Sequence, residues 1–191
     1  MPRVKDQSKL EAIHNATLTI VNKNGYAGFK MSEVAHKAKI ATGTLYIYFK
    51  NKNDLINDLY LRVKKRSVEK IFKDYDPTAP FMIGFEKIWR NYLSYKLFNP
   101  EESLFAERYF RSSYLRPGVV QETEKLLYPI FELLERGKNE KLIANIPTEL
   151  LTAQLLGGLK EISDWHLSRQ LNLNIANTKY AFDMAWKSIR R

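Results

Sequence analysis

The chain has 191 residues, of which 45% are hydrophobic and 27% charged, a balance that is ordinary for a globular protein. It contains no cysteine, which excludes disulfides and thiolate metal sites. No apolar run approaches the roughly 20 residues that a membrane helix needs, and the amino terminus lacks the apolar core of a signal peptide, so we expect a cytoplasmic protein without membrane contact.

The net charge of +10 is placed unevenly along the chain. Residues 1–70 carry 14 Lys and Arg against 6 Asp and Glu, whereas the other 121 residues carry 17 against 15. A basic excess confined to one segment is typical of a phosphate-binding surface, although a lysine-rich solvated surface explains the charge alone more simply. At its start, Arg3 and Lys5 form a short basic arm that could reach phosphates or be disordered.

An amphipathic helix is predicted over about residues 8–24. Apolar residues recur there at intervals of three and four, from Leu10 to Val21. The pair Asn24-Gly25 that follows is typical of a helix end.

Residues 30–53 predict two short helices joined by a tight turn and followed at once by the start of another helix. The first covers about residues 32–38. The second covers about residues 42–49, where Leu45 and Phe49 stand four residues apart and can both face inward. This arrangement is typical of a helix-turn-helix, whose second helix enters the DNA major groove while the first crosses the backbone.

The outward residues of this segment suit DNA binding. A Thr near the amino-terminal end of the second helix can hydrogen-bond a base edge or place its methyl against thymine, and Gly43 allows a close backbone approach. Tyrosines and lysines can reach phosphates, and Lys52 stands where the amides of the next helix would also attract one. The predicted DNA-binding residues are Lys30, Ser32, Thr42, Gly43, Thr44, Tyr46, Tyr48 and Lys52.

The motif TGTLYIYFKNKNDLI, at residues 42–56, resembles the signature of the TetR (tetracycline-repressor) family of dimeric bacterial transcription regulators. The resemblance covers about residues 8–60. It implies an all-helical homodimer with one DNA-reading head per subunit. It also implies a separate domain that binds a small molecule and thereby weakens DNA binding.

Three positions depart from the family pattern. Family members often carry Thr at the start of the chain's second helix, and Gly and Ser in the turn that follows it. Lys30, Lys39 and Ala41 hold those places here. We therefore expect Ser32 or Thr42 to take over the capping of these helices.

A long helix over about residues 54–75 is expected to connect the head with the rest of the chain, and the prolines of DPTAP at residues 76–80 to end it. Further helices are predicted at about residues 81–97, 101–113, 117–136, 148–169 and 174–190, the third kinked or divided at Pro129. The predicted fold is all-α, with a three-helix DNA-binding head at residues 1–53 and a roughly six-helix ligand-binding and dimerisation body at residues 54–191.

Residues 81–114 are rich in large aromatic side chains, several of which share a helix face. Such a stripe is more often plain core than a ligand pocket, yet tyrosine and tryptophan carry polar tips that need partners when buried. We predict a pocket for a small hydrophobic or aromatic effector, lined by Phe85, Trp89, Tyr92, Phe105, Tyr109, Phe110 and Trp165.

The last two predicted helices carry broad apolar faces, and Gly157-Gly158 would let a partner helix approach closely. Intramolecular core is the alternative interpretation, and part of each face must be that. One short helix reads few bases, whereas two symmetry-related heads read a palindrome, so we predict a homodimer on double-stranded DNA. The predicted dimer interface comprises Leu151, Leu155, Gly158, Leu159, Ile162, Phe182 and Ile189.

The predicted function is a ligand-responsive transcriptional regulator, a repressor released from a palindromic operator by its effector. An enzyme is disfavoured because His14, His36 and His166 occupy separate helices without metal-ligand spacing, and no phosphate loop or nucleophile elbow is present. We predict neither a cofactor nor a metal. A third hypothesis, a DNA-binding accessory protein whose body serves only association, stays open.

Overall fold

The structure is a computed structural model that describes residues 6–191, so Arg3 and Lys5 of the basic arm lie outside the described residues. Over that range the backbone forms ten α-helices, and its β-pairing is an isolated bridge between Ile143 and Arg190. The predicted all-α fold is confirmed. The helices are α1 (Gln7–Gly28), α2 (Met31–Lys37), α3 (Thr42–Tyr48), α4 (Lys52–Ile71), α5 (Phe81–Phe98), α6 (Pro100–Tyr109), α7 (Pro117–Leu126), α8 (Tyr128–Asn139), α9 (Thr148–Leu167) and α10 (Ile175–Ile189).

The described chain has seven helices after α3, one more than predicted, because the helix expected over residues 117–136 is divided. α7 ends at Leu126, and α8 begins at Tyr128 with Pro129 in its first turn. A proline lacks the N–H that an interior helical position would donate, whereas first-turn amides have no acceptor within the helix. Pro129 therefore favours a new helix start, as the sequence suggested.

Two compact units make up the chain, and the first is larger than the predicted head. It extends to Arg66 and also includes Pro100–Glu124. Phe105 and Tyr109 of α6 are buried in the same hydrophobic cluster as Leu45 and Phe49. Because α6 packs on α1, the boundary of this unit does not fall at residue 53.

The second unit consists of Ser67–Asn99 and Lys125–Arg191. Its core packs α5 against α8, α9 and α10, and Phe81 and Phe85 stack there with ring centroids 5.9 Å apart. α4 and α7 each begin in the first unit and end in the second. Covalent continuity through these two helices is therefore a route by which the units can influence each other.

The segment DPTAP at residues 76–80, which was predicted to end the long helix and is the linker between α4 and α5, is hydrogen-bonded to Arg136 of α8. The guanidinium donates to the carbonyl oxygen of Ala79 at 3.0 Å and to that of Pro77. Within the linker, the Asp76 carboxylate accepts from the amide of Thr78 at 2.8 Å and from its hydroxyl at 2.7 Å. The segment between α4 and α5 is therefore a defined turn.

The predicted end of the first helix corresponds to a break at Gly25. There φ is 68° and ψ is 177°, although helical turns continue on both sides up to Gly28. This backbone conformation is open to glycine and strained for every residue with a Cβ. Glycine at this position therefore lets the chain turn toward α2.

The turn of the helix-turn-helix contains a residue with strained backbone. Lys39 has φ 56°. A side chain in this left-handed region costs about 1–2 kcal/mol, while glycine adopts it freely but loses about 0.5–1 kcal/mol through its greater freedom in the unfolded chain. We expect Lys39→Gly to raise the free energy of unfolding by about 0.5–1 kcal/mol, measured by urea denaturation.

Lys37→Gly is the matched control for that substitution. Lys37 is the last residue of α2 and has a helical backbone, so glycine there should lower the free energy of unfolding by up to about 1 kcal/mol. Equal losses for both variants would show that the conformation of Lys39 is not a source of strain.

Candidate nucleic-acid interface and effector cavity

α3 is anchored by its buried face and leaves its other sides open. Leu45 and the C-cap residue Phe49 are buried in the core of the first unit. Thr42, Gly43 and Tyr46 are exposed, and a Cβ built on Gly43 would meet no atom within 4 Å. The helix therefore presents exposed side chains and accessible backbone on a side that is open enough to enter a DNA groove.

The prediction that Ser32 or Thr42 caps these helices is wrong. The N-cap residues are Lys30 for α2 and Ala41 for α3, and neither makes a side-chain capping bond. Thr42 is instead the first residue of α3. Its hydroxyl is therefore available to a base or phosphate.

An open cleft of about 400 Å³ brings together α2, α3 and the start of α4. Five of the eight predicted DNA-binding residues line it. The cleft also contains two polar residues that the sequence analysis did not select, Lys50 and Asn51. Its lining consists of Lys30, Met31, Ser32, Thr42, Tyr46, Lys50, Asn51 and Lys52. Three lysines and no carboxylate give the cleft the electrostatic character of a phosphate-binding surface.

Lys52 is positioned at the edge of this cleft. Its ammonium lies 5.0 Å from the centroid of the Phe29 ring, a cation–π distance. Beside it, the Asn51 side chain accepts a hydrogen bond from the amide of Asp54 at 2.9 Å. One of the α4 amides predicted to attract a phosphate is therefore occupied by this cap, and the ammonium of Lys52 supplies the positive charge at the start of α4.

Three predicted residues lie outside the lining: Gly43 is exposed, and Tyr48 and Thr44 are half-buried. The Tyr48 hydroxyl accepts a hydrogen bond from the amide of Asp6 at 3.1 Å, which joins the end of α3 to the start of α1. Tyr48 thus has a structural role that the sequence analysis did not anticipate.

A buried asparagine connects α4 with the loop between α6 and α7. Asn57 is fully buried; its amide nitrogen donates to the carbonyl oxygen of Tyr114 at 2.9 Å, and its side-chain oxygen accepts from the amide of Arg116 at 2.7 Å. The Tyr114 ring also stacks on Tyr26 of α1, with centroids 3.8 Å apart.

The second unit contains a small apolar cavity between α5, α8 and α9. Its volume is about 40 Å³, and Trp89, Tyr92 and Thr152 are the lining residues whose side chains carry a polar atom. The full lining is Phe85, Ile88, Trp89, Tyr92, Ile130, Leu133, Leu134, Thr152, Leu155, Leu156 and Leu159. Phe85, Trp89 and Tyr92 are therefore brought together as predicted.

The other four residues predicted for the pocket lie elsewhere. Phe105 and Tyr109 belong to the core of the first unit, because α6 packs on α1. Burial there raises the pKa of the Tyr109 hydroxyl to about 12. Phe110 and Trp165 are exposed. One aromatic stretch of sequence thus supplies two separate cores, and the predicted single pocket has to be reduced to its α5 residues.

Two family models match this chain. One, described as bacterial regulatory proteins of the tetR family, matches residues 13–59, and the other, described as the tetracyclin repressor-like C-terminal domain, matches residues 80–190. The chain belongs to the TetR family. The TetR match extends over both the helix-turn-helix and most of the helices after it. The predicted class, a DNA-binding transcriptional regulator and not an enzyme, is thereby confirmed.

Curated relatives match this TetR protein over part of its length. An uncharacterized HTH-type transcriptional regulator of Haemophilus influenzae is 33% identical over 90 residues, which are 47% of this chain and 48% of that protein. The fatty acid metabolism regulator protein of Bacillus subtilis is 33% identical over 71 residues, 37% of each chain. The aligned part is thus about half or less of each relative's length.

Solved structures share the whole fold. A TetR family regulator from Marinobacter aquaeolei superposes with a TM-score of 0.90 at 22% identity, covering 97% of each chain. The regulator FadR from Bacillus subtilis, in complex with stearoyl-CoA, gives a TM-score of 0.69 at 19% identity and covers 92% of this chain and 96% of that one. These similarities establish the TetR fold.

Four of the seven residues predicted for the dimer interface are buried inside the second unit of this TetR protein. Leu151, Leu159, Phe182 and Ile189 belong to its core, because the apolar stripes of α9 and α10 face α5 and each other. Leu155 lines the cavity, Ile162 is half-buried and Gly158 is exposed. The exposed apolar residues of these helices are others, namely Leu150, Leu156, Trp165, Leu167, Ile175, Tyr180 and Met184.

Neither a metal site nor a membrane span is found in residues 6–191. No group of three or more His, Cys, Asp or Glu side chains among them could hold a metal ion. None of the helices described for the chain combines the length and apolar character required to cross a bilayer.

Proposed function

We propose that this TetR-family protein is a homodimeric repressor that binds a palindromic operator and is released from it by an apolar effector. The observation that carries the proposal is the cleft at the outer side of α2 and α3. Base-reading candidates on α3 and phosphate-binding lysines at the start of α4 share this one surface. A regulator that reads a sequence needs both kinds of group in a fixed arrangement.

Thr44 is the residue that we assign to base reading by hydrogen bonding. It lies near the start of α3, half-buried beside the exposed Gly43, at the end of the helix where groove-entering helices usually meet base edges. We expect Thr44→Ala to reduce discrimination at one base pair of each half-site by about 1–3 kcal/mol while leaving binding to unrelated DNA unchanged. Measurement of dissociation constants for all single-base operator variants checks this. An equal loss on every sequence would contradict the assignment.

Dimerisation is proposed to use the exposed sides of α9 and α10. On α9 the outward positions include Leu150 and the exposed Gly157, and a Cβ on Gly157 would meet nothing within 4 Å. On α10 they include Tyr180 and Met184, which are 65% and 67% exposed. Two helices from each subunit can form a four-helix bundle about a two-fold axis.

The effector is proposed to be an apolar chain that enters between α5, α8 and α9. The cavity there is lined almost wholly by aliphatic and aromatic side chains. At about 40 Å³ it is too small for such a ligand, since small-molecule sites usually measure about 300–1,000 Å³. Binding therefore requires these helices to separate. The FadR structure of the same fold is a complex with stearoyl-CoA, which makes long-chain acyl compounds the first class to test.

Separation of the cavity helices can reach the DNA-binding unit through the chain itself. α7 begins in the first unit and is followed directly by α8, which lines the cavity. The loop before α7 is hydrogen-bonded to Asn57 of α4. Asn57 lies near the start of that helix, four residues after Asn53. An effector that binds the separated helices more tightly would thus favour a different position of α4. Only this difference in the effector's affinity for the two conformations can weaken DNA binding.

The experiment for this mechanism is a reciprocal titration with stearoyl-CoA and an operator duplex. If the effector weakens DNA binding by some factor, operator DNA must weaken effector binding by the same factor. We expect a factor of about 5–150. Equal affinity of stearoyl-CoA for the free and the operator-bound protein would contradict the mechanism. Operator binding by a protein that binds neither stearoyl-CoA nor any other apolar compound would instead favour the accessory protein.

Filling the cavity should separate effector binding from DNA binding. Thr152→Phe places a ring in the space between α5, α8 and α9, at a cost of about 1–3 kcal/mol of stability. We expect this variant to bind operator DNA normally and to lose release by the effector, as followed by fluorescence anisotropy. Thr152→Ser, which keeps the hydroxyl bond to the carbonyl of Thr148, is the control and should respond like the wild type.

A further inference from the structure

Ile47 is the most outward residue of α3. With about 3.6 residues per turn, the point opposite the buried pair Leu45 and Phe49 falls on Ile47. Its side chain is 73% exposed, and the position one turn before it is Gly43, which carries no side chain. Ile47 therefore projects beyond its neighbours into open space.

A large aliphatic residue at this position is unexpected on physical grounds. Polar or charged side chains are the usual occupants of a fully exposed helix face, and a branched aliphatic chain gains nothing from contact with water. Lys30, Lys50 and Lys52 place phosphate-binding charge around the same helix. The surroundings are thus suited to nucleic acid, while Ile47 itself can bind neither a phosphate nor a polar base edge.

We propose that Ile47 contacts the 5-methyl group of a thymine in the major groove and so selects that base in each half-site. The thymine methyl is the apolar group that base pairs present in the major groove, and apolar side chains are its usual partners. The contact would remove the Ile47 side chain and the thymine methyl group from water, which would compensate for the exposure of Ile47 in the unbound protein. This assignment rests on the proposed function, since it requires α3 to enter the groove.

The test replaces thymines of the operator by uracil, one position at a time in both half-sites. Uracil differs from thymine by the missing methyl group alone. For the wild type, one position should show a loss of about fourfold per half-site, which corresponds to one buried methyl group. Ile47→Ala should bind the thymine duplex with a similar loss and should no longer distinguish thymine from uracil at that position.

Two controls separate base reading from other effects. Ile83→Ala removes an aliphatic side chain that is 61% exposed on α5 and should behave like the wild type on both duplexes. The salt dependence of Ile47→Ala should equal that of the wild type, because phosphate contacts are unchanged.

The outcomes distinguish this inference from the function on which it rests. Equal uracil effects on the wild type and Ile47→Ala would show that the methyl acts through DNA shape, and would overturn the role of Ile47. The absence of a uracil effect at every position would also overturn the role of Ile47. If the wild type still bound DNA sequence-selectively, the proposed function as a regulator would be unaffected. A wild-type protein that selects no sequence would overturn both.

Discussion

Replacing Met184 by Arg is expected to convert the protein to a monomer and to weaken binding to a palindromic duplex by about a hundredfold or more. Met184 is 67% exposed on α10, so the arginine can be solvated in the monomer and should leave folding intact. In a symmetric dimer the substitution occurs twice, and an unpaired charge buried in an apolar interface costs about 3–5 kcal/mol. Sedimentation equilibrium gives the association state, and anisotropy titration gives the affinity for DNA.

The matched control for Met184→Arg is Ile83→Arg, which places the same charge at an exposed aliphatic position of α5. It should remain dimeric and bind DNA like the wild type. A dimeric Met184→Arg protein with unchanged affinity would show that subunits associate through another surface. Dissociation by both variants would mean that surface charge alone prevents association.

Lys52→Ala is expected to weaken binding to every duplex by about tenfold per subunit, or about a hundredfold for the dimer. A charge-assisted hydrogen bond to phosphate contributes about 1.5–3 kcal/mol, and this lysine lines the cleft that we propose as the DNA-binding surface. Each phosphate contact also releases counterions. The slope of log K against log salt should therefore become smaller by about 1.8 for two subunits.

Lys70→Ala provides the matched control, since Lys70 is an exposed lysine in the last turn of the same helix. Its loss changes the net charge equally and should leave the salt slope within about 0.3 of the wild type. The contact of Lys52 with Phe29 contributes about 0.5–1 kcal/mol to stability, so both variants are compared well below their unfolding temperatures. Equal slopes for the two variants would contradict a phosphate contact by Lys52.

The local patterns of this sequence predicted its helices well, because they depend on neighbours along the chain. Leu45 and Phe49 at a four-residue spacing placed the buried face of α3, and Pro129 placed the division between α7 and α8. Five of the eight predicted DNA-binding residues line one cleft, and their contact with DNA stays a prediction. A motif specifies such a surface through short-range geometry.

The partner of each apolar face was not predictable in the same way. Phe105 and Phe85 have the same residue type and similar helix context, yet α6 packs in the first unit and α5 in the second. Leu151 and Phe182 likewise carried no local sign that their partners are intramolecular. A periodic stripe shows that a face is buried but not what buries it.

Capping and polar links were missed for a related reason. Ala41 caps α3 without a side-chain bond, and Asn57 bonds backbone groups that lie 57 and 59 residues away along the chain. Contacts at such separations depend on tertiary structure. Ile47 was not among the predicted DNA-binding residues, which were selected for hydroxyl groups, positive charge or close backbone approach.

The central claim, that the outer side of α2 and α3 reads a palindromic sequence, is tested most directly by selection of bound duplexes from a random DNA pool at physiological salt. We predict an enriched palindrome whose half-site centres lie about 34–36 Å apart or a multiple of that distance, matching two heads on successive major grooves. Weak, strongly salt-dependent binding with no enriched motif would contradict the claim and leave this surface as a non-specific phosphate contact.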